Sequence, residues 1–285
     1  MVIIRSKFTI IQIQEEVLLT KETFNELYRK KEFSGLAPYK VENAVIMAAG
    51  FSSRFAPLSE VCPKALFPVK GEVLIERQIR QLRDAGIQDI YVVVGHKKEL
   101  FYYLKEKFGV FIVENKEYQS RNNNSTLYAV RDYLGSSYIC SSDNYFTENV
   151  FHPYEYQPYY SCLYAEGETS EYCLTADENN RIIHVTVGGT DSWYMFGHVY
   201  VNQEFSRKYI SYLTEEYDLP EIRQAYWEEI YMRHLDSLTL YQKPFQPGTI
   251  QEFDSLEDLR AFDSFYGTHS QEELLLFLSN SLLRT

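Results

Sequence analysis

The stretch that decides the fold lies between residues 44 and 66. It begins with Ala44-Val45-Ile46-Met47-Ala48-Ala49-Gly50-Phe51-Ser52-Ser53-Arg54 and ends with Pro63-Lys64-Ala65-Leu66. Its first five residues are continuously apolar, which is typical of a parallel strand buried on both faces. The small residues that follow let backbone N–H groups approach an anion closely, and Arg54 and Lys64 add positive charge. By itself Ala48-Ala49-Gly50 would equally fit an ordinary tight turn, but together these features predict a phosphate-binding loop.

Strand and helix patterns alternate after this loop. Helical periodicity covers residues 73–85, 100–108 and 125–134, and apolar runs typical of strands cover residues 90–94, 110–113 and 138–142. This alternation predicts an α/β fold with a doubly wound, mostly parallel, Rossmann-like mixed sheet flanked by helices. Ligands of such sheets bind beyond the carboxyl ends of the strands. Further along, the sequence predicts short strands at 160–164, 173–175, 182–187 and 200–201, and helices at 204–213, 219–235 and 271–283.

Residues 1–42 form an N-terminal appendage in this interpretation, and residues 43–285 form the main domain. A β-like run covers Phe8–Ile13, and a helix is predicted over Leu19–Tyr28 with Thr20 as its N-cap. Gly35 and Pro38 then interrupt the pattern. The appendage is too short to be an independent domain.

The overall composition excludes several classes of partner. The net charge of −12 argues against nucleic-acid binding, which requires a basic face. Since there is neither a signal-peptide core at the N-terminus nor a run of about 18 apolar residues, we expect no membrane insertion. The cysteines lack CxxC spacing and read as free thiols, so we expect a cytoplasmic protein.

A candidate metal ligand follows the strand at 138–142. Asp143 stands at the predicted carboxyl end of that strand, where a hard divalent cation such as Mg²⁺ would meet a triphosphate. An aspartate after a strand also serves as a helix N-cap or turn former, so the position alone leaves both roles open.

The loop and its continuation resemble the signature of the sugar-phosphate and choline-phosphate nucleotidyltransferases, L-A-A-G-x-G-[ST]-R followed by P-K-[AP]-[LM]. The resemblance covers roughly residues 38–263, and the second glycine of the signature is Ser52 here. It implies the nucleotide-diphospho-sugar transferase fold, Mg²⁺ as cofactor, and the following roles: Arg54 and Lys64 in catalysis; Ala48, Ala49, Gly50, Ser52, Asn123 and Ser125 in nucleotide binding; Asp143 and Asp254 as metal ligands. Asp254 would alternatively cap a helix at 256–262, and the amides at 122–124 would alternatively form a polar loop capped by Ser125.

Within this family the chain looks most like the choline-phosphate cytidylyltransferases of bacteria. The stretches that carry this likeness are Pro38–Asn43, Ile90–Gly95, Leu104–Lys107, Asn122-Asn123 and Asp143–Tyr145. A quaternary ammonium group is held by aromatic faces and a carboxylate. The resemblance places that pocket at Glu171, Tyr172, Tyr226, Trp227 and Glu228, with Tyr172 where the subgroup also has Trp. Alternatively, Tyr226 and Trp227 pack a helix onto the sheet.

The resulting expectation is transfer of CMP from CTP to phosphocholine, with release of pyrophosphate. A sugar-1-phosphate nucleotidyltransferase that uses UTP, dTTP or GTP is the alternative, and a non-catalytic nucleotide-binding regulator is a further one. In relatives with longer extensions the N-terminal piece resembles a winged helix. Here it would be a remnant of that module or a homodimer contact.

Overall fold

The computed structural model describes residues 19–282, and the chain divides into two compact units between Pro38 and Tyr39. In the first unit, α1 (Lys21–Lys30) is capped by the Thr20 hydroxyl, which accepts a hydrogen bond from the Thr23 N–H. The predicted helix and its N-cap are therefore confirmed. A 3-10 helix (Phe33–Tyr39) follows, and its last residue, Tyr39, is the first of the second unit. The predicted strand at residues 8–13 lies outside the described residues.

The second unit contains the remaining elements. In chain order they are β1 (Asn43–Ala48), α2 (Leu58–Val61), β2 (Pro68–Val69), β3 (Glu72–Val73), α3 (Leu74–Asp84), β4 (Asp89–Val94), α4 (Tyr103–Phe108), β5 (Phe111–Glu114), α5 (Asn124–Val130), β6 (Ser137–Ser141), β7 (Asn144–Phe146), β8 (Tyr159–Ala176), β9 (Ile182–Val201), α6 (Gln203–Glu216), α7 (Trp227–Arg233), β10 (Tyr241–Pro244), β11 (Ile250–Glu252), α8 (Leu256–Phe262), α9 (Ser264–Thr268) and α10 (Gln271–Leu282). Within residues 19–282, every helix is too short or too polar to cross a membrane.

The main sheet has the strand order β10-β8-β9-β6-β1-β4-β5. β1 runs parallel to both β4 and β6, and β4 runs parallel to β5. The long β8–β9 hairpin joins this parallel half in antiparallel orientation through β6 and β9. The predicted doubly wound, mixed and mostly parallel sheet is confirmed.

Several predicted elements differ in extent. The segment after β1, which the sequence predicts as a loop over residues 50–63, contains a 3-10 turn (Ser53–Phe55) and α2. The helix predicted at 219–235 is divided into a 3-10 turn (Pro220–Ile222) and α7. The four short strands predicted after residue 159 are segments of the two long strands β8 and β9. The sequence divides them because register shifts along the hairpin interrupt the period-2 alternation that a regular strand would show.

Both faces of the central strands are buried. On β1, Ala44 and Ile46 pack into one hydrophobic cluster and Val45 into the other, and Val92 and Val93 of β4 divide in the same way. This explains why the strands read as continuous apolar runs. Since β1 and β6 are parallel, the two strands end at the same edge of the sheet, with Met47 opposite Ser141.

Candidate active site

A cavity of about 820 Å³ opens at this edge. Its wall includes the loop after β1, the end of β6, residues that precede α5, and the inner side of the β8–β9 hairpin. The carboxyl ends of the parallel strands were the predicted ligand position, and the structure brings most of the predicted site residues to this cavity.

The loop after β1 lines one side of the cavity through Ala48, Ala49, Gly50 and Ser52. A Cβ added to Gly50 would meet no atom within 4 Å, so this backbone borders open space. Ser52 has φ 51° and ψ 41°, the left-handed conformation that glycine adopts without steric cost. A serine in this conformation carries a conformational cost of about 1–2 kcal/mol.

The two cations of the loop pair with the predicted metal ligands. Lys64 Nζ lies 2.9 Å from Asp143 Oδ2 and donates a second hydrogen bond to the Phe253 carbonyl. Arg54 Nη2 lies 2.6 Å from Asp254 Oδ1. The Lys64 side chain is 9% exposed and that of Arg54 is 69% exposed, so Lys64 forms part of the cavity floor whereas Arg54 lies at its rim.

The acidic side of the cavity contains one carboxylate that the sequence did not single out. Asp143, Glu252 and Asp254 each offer an oxygen within 4.8 Å of the others. Burial and the charges of Asp143 and Asp254 raise the pKa of Glu252 to about 8. Its spacing from Asp254 is the signal that would have identified it. Glu252 stands two residues before Asp254, and residues i and i+2 of an extended segment share a face.

The donor set fits a hard divalent cation. Carboxylate oxygens are the ligands that Mg²⁺ prefers, and the buried Asp143 Oδ1 has no hydrogen-bond partner among the described residues. The alternative role of Asp254 as a helix cap is taken by Ser255, whose hydroxyl accepts from the Asp258 N–H at the start of α8. The Asp254 carboxylate therefore keeps its place at the cavity.

The asparagine run before α5 holds a neighbouring segment. Asn122 donates to the Gln224 carbonyl, Asn124 donates to the Ile222 and Ala225 carbonyls, and Asn123 Oδ1 accepts from the Trp227 N–H at 2.7 Å. Asn122 and Asn123 line the cavity. These amides thus position the start of α7.

Ser125, predicted to contact the nucleotide, is 1% exposed. Its hydroxyl donates to the Asn122 carbonyl and accepts from Asn115 Nδ2. Ser125 therefore stabilises the loop from within and is not among the residues that line the cavity, whereas the neighbouring Thr126 is. The contact of Ser125 with the nucleotide stays a prediction.

Four of the five predicted acceptor residues line the same cavity: Glu171, Tyr172, Tyr226 and Glu228. The Tyr172 and Tyr226 rings meet edge to face with centroids 6.5 Å apart. Glu228 is buried and accepts a hydrogen bond from the Tyr160 hydroxyl at 3.0 Å. Burial raises the pKa of Glu228 to about 7, and hydrogen bonds from Tyr160 and Asn123 offset that rise only in part.

The fifth predicted acceptor residue lies elsewhere. Trp227 is 1% exposed and stacks on Tyr160 within a hydrophobic cluster, with ring centroids 5.9 Å apart and planes 2° apart. It therefore packs α7 onto the sheet, as the alternative interpretation of the sequence had it. Its contribution to the site is indirect, because it fixes the position of the neighbouring Glu228.

Comparison with known proteins places the chain among nucleotidyltransferases. Residues 44–151 match the family model of the MobA-like NTP transferase domain. The chain is 36% identical to the 2-aminoethylphosphonate cytidylyltransferase of Lancefieldella rimae. The alignment extends over 231 residues and covers 79% of this chain and 93% of the relative. It is 33% identical to the choline-phosphate cytidylyltransferase of Streptococcus pneumoniae. That alignment extends over 220 residues and covers 77% of this chain and 96% of the relative.

Solved structures agree with this placement. The CTP:phosphocholine cytidylyltransferase of Streptococcus pneumoniae superposes with a TM-score of 0.75 at 33% identity, over 78% of this chain and 98% of that one. A putative glucose-1-phosphate thymidylyltransferase from Bacillus anthracis superposes with a TM-score of 0.64 at 17% identity, over 82% and 98% of the two chains. The second likeness concerns the fold alone.

The left-handed backbone at Ser52 leads to a stability prediction. Ser52→Gly should leave the free energy of unfolding unchanged or raise it by up to about 1 kcal/mol, because relief of the steric cost outweighs the extra backbone entropy of glycine. Ser52→Val should lower it by about 1–3 kcal/mol, since a β-branched residue is strained at positive φ. Urea unfolding of the three proteins measures both effects. Equal stabilities for the valine and glycine variants would contradict the left-handed assignment.

Proposed function

The chain belongs to the nucleotidyltransferase family that includes the choline-phosphate and 2-aminoethylphosphonate cytidylyltransferases, and we propose that it transfers CMP from CTP to phosphocholine. The observation that carries this proposal is the convergence, in one cavity, of the small-residue loop, the two cations, the carboxylate cluster and an aromatic wall with buried Glu228. A site of this composition provides charge neutralisation for a triphosphate, and aromatic and acidic groups for a cationic acceptor.

In the proposed reaction, a phosphate oxygen of the acceptor attacks the α-phosphorus of CTP. One P–O bond forms, and the bond between the α-phosphorus and its bridging oxygen to the β-phosphate breaks, so that CDP-choline and pyrophosphate leave. The attacking oxygen already carries negative charge, and the reaction therefore needs no covalent enzyme intermediate. Positioning and electrostatic stabilisation supply the rate enhancement.

The cations have a defined role in this scheme. When the triphosphate enters, Lys64 exchanges Asp143 for a phosphate oxygen and Arg54 exchanges Asp254 for another. Asp143, Asp254 and Glu252 are then available to hold Mg²⁺, which would neutralise charge on the phosphates during in-line displacement. Since Lys64 is almost fully buried, its charge acts in a medium of low dielectric constant, where it is worth more than at the surface.

The acceptor wall supports phosphocholine through the Tyr172 and Tyr226 rings, which can face a quaternary ammonium group. A second candidate acceptor is 2-aminoethylphosphonate. Glu171 and Glu228 favour it, because their carboxylates can accept hydrogen bonds from a primary ammonium group, whereas a quaternary ammonium has no N–H to donate.

Pyrophosphate release tests the proposed function. CTP, UTP, dTTP and GTP are each combined with phosphocholine, 2-aminoethylphosphonate, glucose-1-phosphate or no acceptor. We expect turnover with CTP and the cationic acceptors, with the higher kcat/KM for phosphocholine. Turnover confined to 2-aminoethylphosphonate would transfer the proposal to the second candidate. Activity only with the sugar phosphate would overturn the cationic acceptor, and nucleotide binding without turnover on any acceptor would indicate a regulator.

Removal of the buried cation should abolish most activity. Lys64→Ala is expected to lower kcat/KM by at least about 100-fold, as for the loss of one preorganised charge-stabilising group. Lys64→Met should be equally impaired although it retains much of the side-chain volume. Lys208→Ala is the control, because Lys208 forms an exposed i,i+4 ion pair with Glu204 on α6. Full activity of the Lys64→Ala enzyme would exclude the proposed phosphate site.

The raised pKa of Glu228 predicts a pH-dependent KM for the acceptor. Because that pKa is about 7, the carboxyl is neutral below that pH and attracts a cation only above it. The KM for phosphocholine should therefore increase by up to about tenfold per pH unit as the pH falls below 7. Titration of the substrate phosphate is common to all variants, so Glu228→Gln should lose only the enzyme's part of this dependence. A pH profile identical in wild type and Glu228→Gln would refute the role of Glu228.

A further inference from the structure

We propose that Phe51, supported by Tyr118, is the surface on which the nucleobase of CTP stacks; this inference rests on the proposed function. Phe51 directly follows the glycine of the phosphate loop, lines the cavity and is 44% exposed. Its ring centroid lies 5.3 Å from that of Tyr118 and 5.1 Å from that of His96, with interplanar angles of 44° in both pairs. A phenyl ring at the mouth of a polar cavity is a ready partner for a planar base.

The support under this ring is tightly packed. Tyr118 lies directly on Gly95, at the end of β4, where an added Cβ would be 2.7 Å from Tyr118 Cγ and 2.8 Å from the Ala49 carbonyl oxygen. That same carbonyl accepts a hydrogen bond from the His96 N–H at 3.1 Å. Gly95 is thus the residue that lets Tyr118 approach the strand end, and the aromatic cluster is attached to the phosphate loop itself.

The amides near the cavity already take part in hydrogen bonds within the protein, whereas the Phe51 ring offers a free face to the base. Asn122 and Asn124 donate hydrogen bonds to carbonyl groups of residues 222–225, and Asn123 accepts one from the Trp227 N–H. Asn115 donates to Ser125 and Thr126. These contacts use part of the hydrogen-bonding capacity of the amides to hold the segment at residues 222–227 in place. The exposed part of the Phe51 ring lines the cavity and can stack on a base without displacing a protein group.

Stacking and phosphate binding would act on two ends of one ligand. The backbone of Ala49 and Gly50 separates Phe51 from β1, and Arg54 follows Phe51 by three residues along the same loop. A nucleotide whose phosphates lie on this loop would therefore have its base within reach of the Phe51 ring. Base–aromatic stacking tolerates every base, because each has a π face. The Phe51 ring would therefore raise the affinity for a nucleotide without selecting cytosine.

Calorimetric titration tests the inference with ligands that do or do not contain a base. Phe51→Ala should weaken CTP binding on the order of tenfold, in the range found for the loss of one base–aromatic stack, and should leave the affinity for inorganic tripolyphosphate unchanged. Phe51→Tyr keeps a ring and should bind CTP as the wild type does. Bound CTP should show reduced ultraviolet absorbance of the base in the wild type and in Phe51→Tyr, but not in Phe51→Ala.

Phe111→Ala is the matched control, because Phe111 is 48% exposed and stacks on Tyr91 at the edge strand β5. It should bind CTP with wild-type affinity. The stacking role is overturned if Phe51→Ala binds CTP as tightly as the wild type, or if it loses CTP and tripolyphosphate to the same extent. A wild-type protein that binds no nucleoside triphosphate would refute the proposed function as well, whereas an active enzyme with an unaffected Phe51→Ala variant would refute the stacking role alone.

Discussion

The contact on which the rest of the site depends is the partly buried ion pair between Lys64 and Asp143. It joins the segment after β1 to the end of β6, and the Phe253 carbonyl adds the segment after β11. In a chain of net charge −12, a lysine that is almost fully enclosed must have a carboxylate partner, because an unpaired buried charge costs several kcal/mol. This need for a partner keeps the phosphate-binding cations next to the metal-binding carboxylates. Each cation stays paired with a carboxylate until a ligand replaces that carboxylate.

A second constraint is the division of aromatic residues between core and cavity. Tyr160 illustrates it, because its ring stacks on the buried Trp227 while its hydroxyl holds the Glu228 carboxylate. Tyr172 on β8 and Tyr226 before α7 instead keep faces toward the cavity. The acceptor wall is therefore a surface layer supported by a closely packed layer behind it, which restricts the rotamers of the groups that would meet a substrate.

Local patterns predicted well those elements whose burial is uniform. The continuous apolar run of β1, the helix at Leu74–Asp84 and the cap at Thr20 were recognisable because each depends on neighbours close in sequence. The roles of individual residues were harder to predict from the sequence where the residue type fits more than one role. Ser125 and Trp227 belong to the interior and Glu252 to the carboxylate cluster. For Trp227 and Glu252, contacts with residues distant in the chain decided the outcome.

The sequence by itself determined the α/β class, the loop between residues 48 and 64 and the position of Asp143 at a strand end, because strand periodicity, small residues and charge spacing are local properties. Only the tertiary structure decided which side chains share the cavity. Arg54 and Asp254 meet across 200 positions of sequence, and Glu252 joins Asp143 because β11 pairs with β7. Long-range pairing of this kind depends on how strands order in the sheets and on the path of the chain between them, and neither follows from any short stretch of residues.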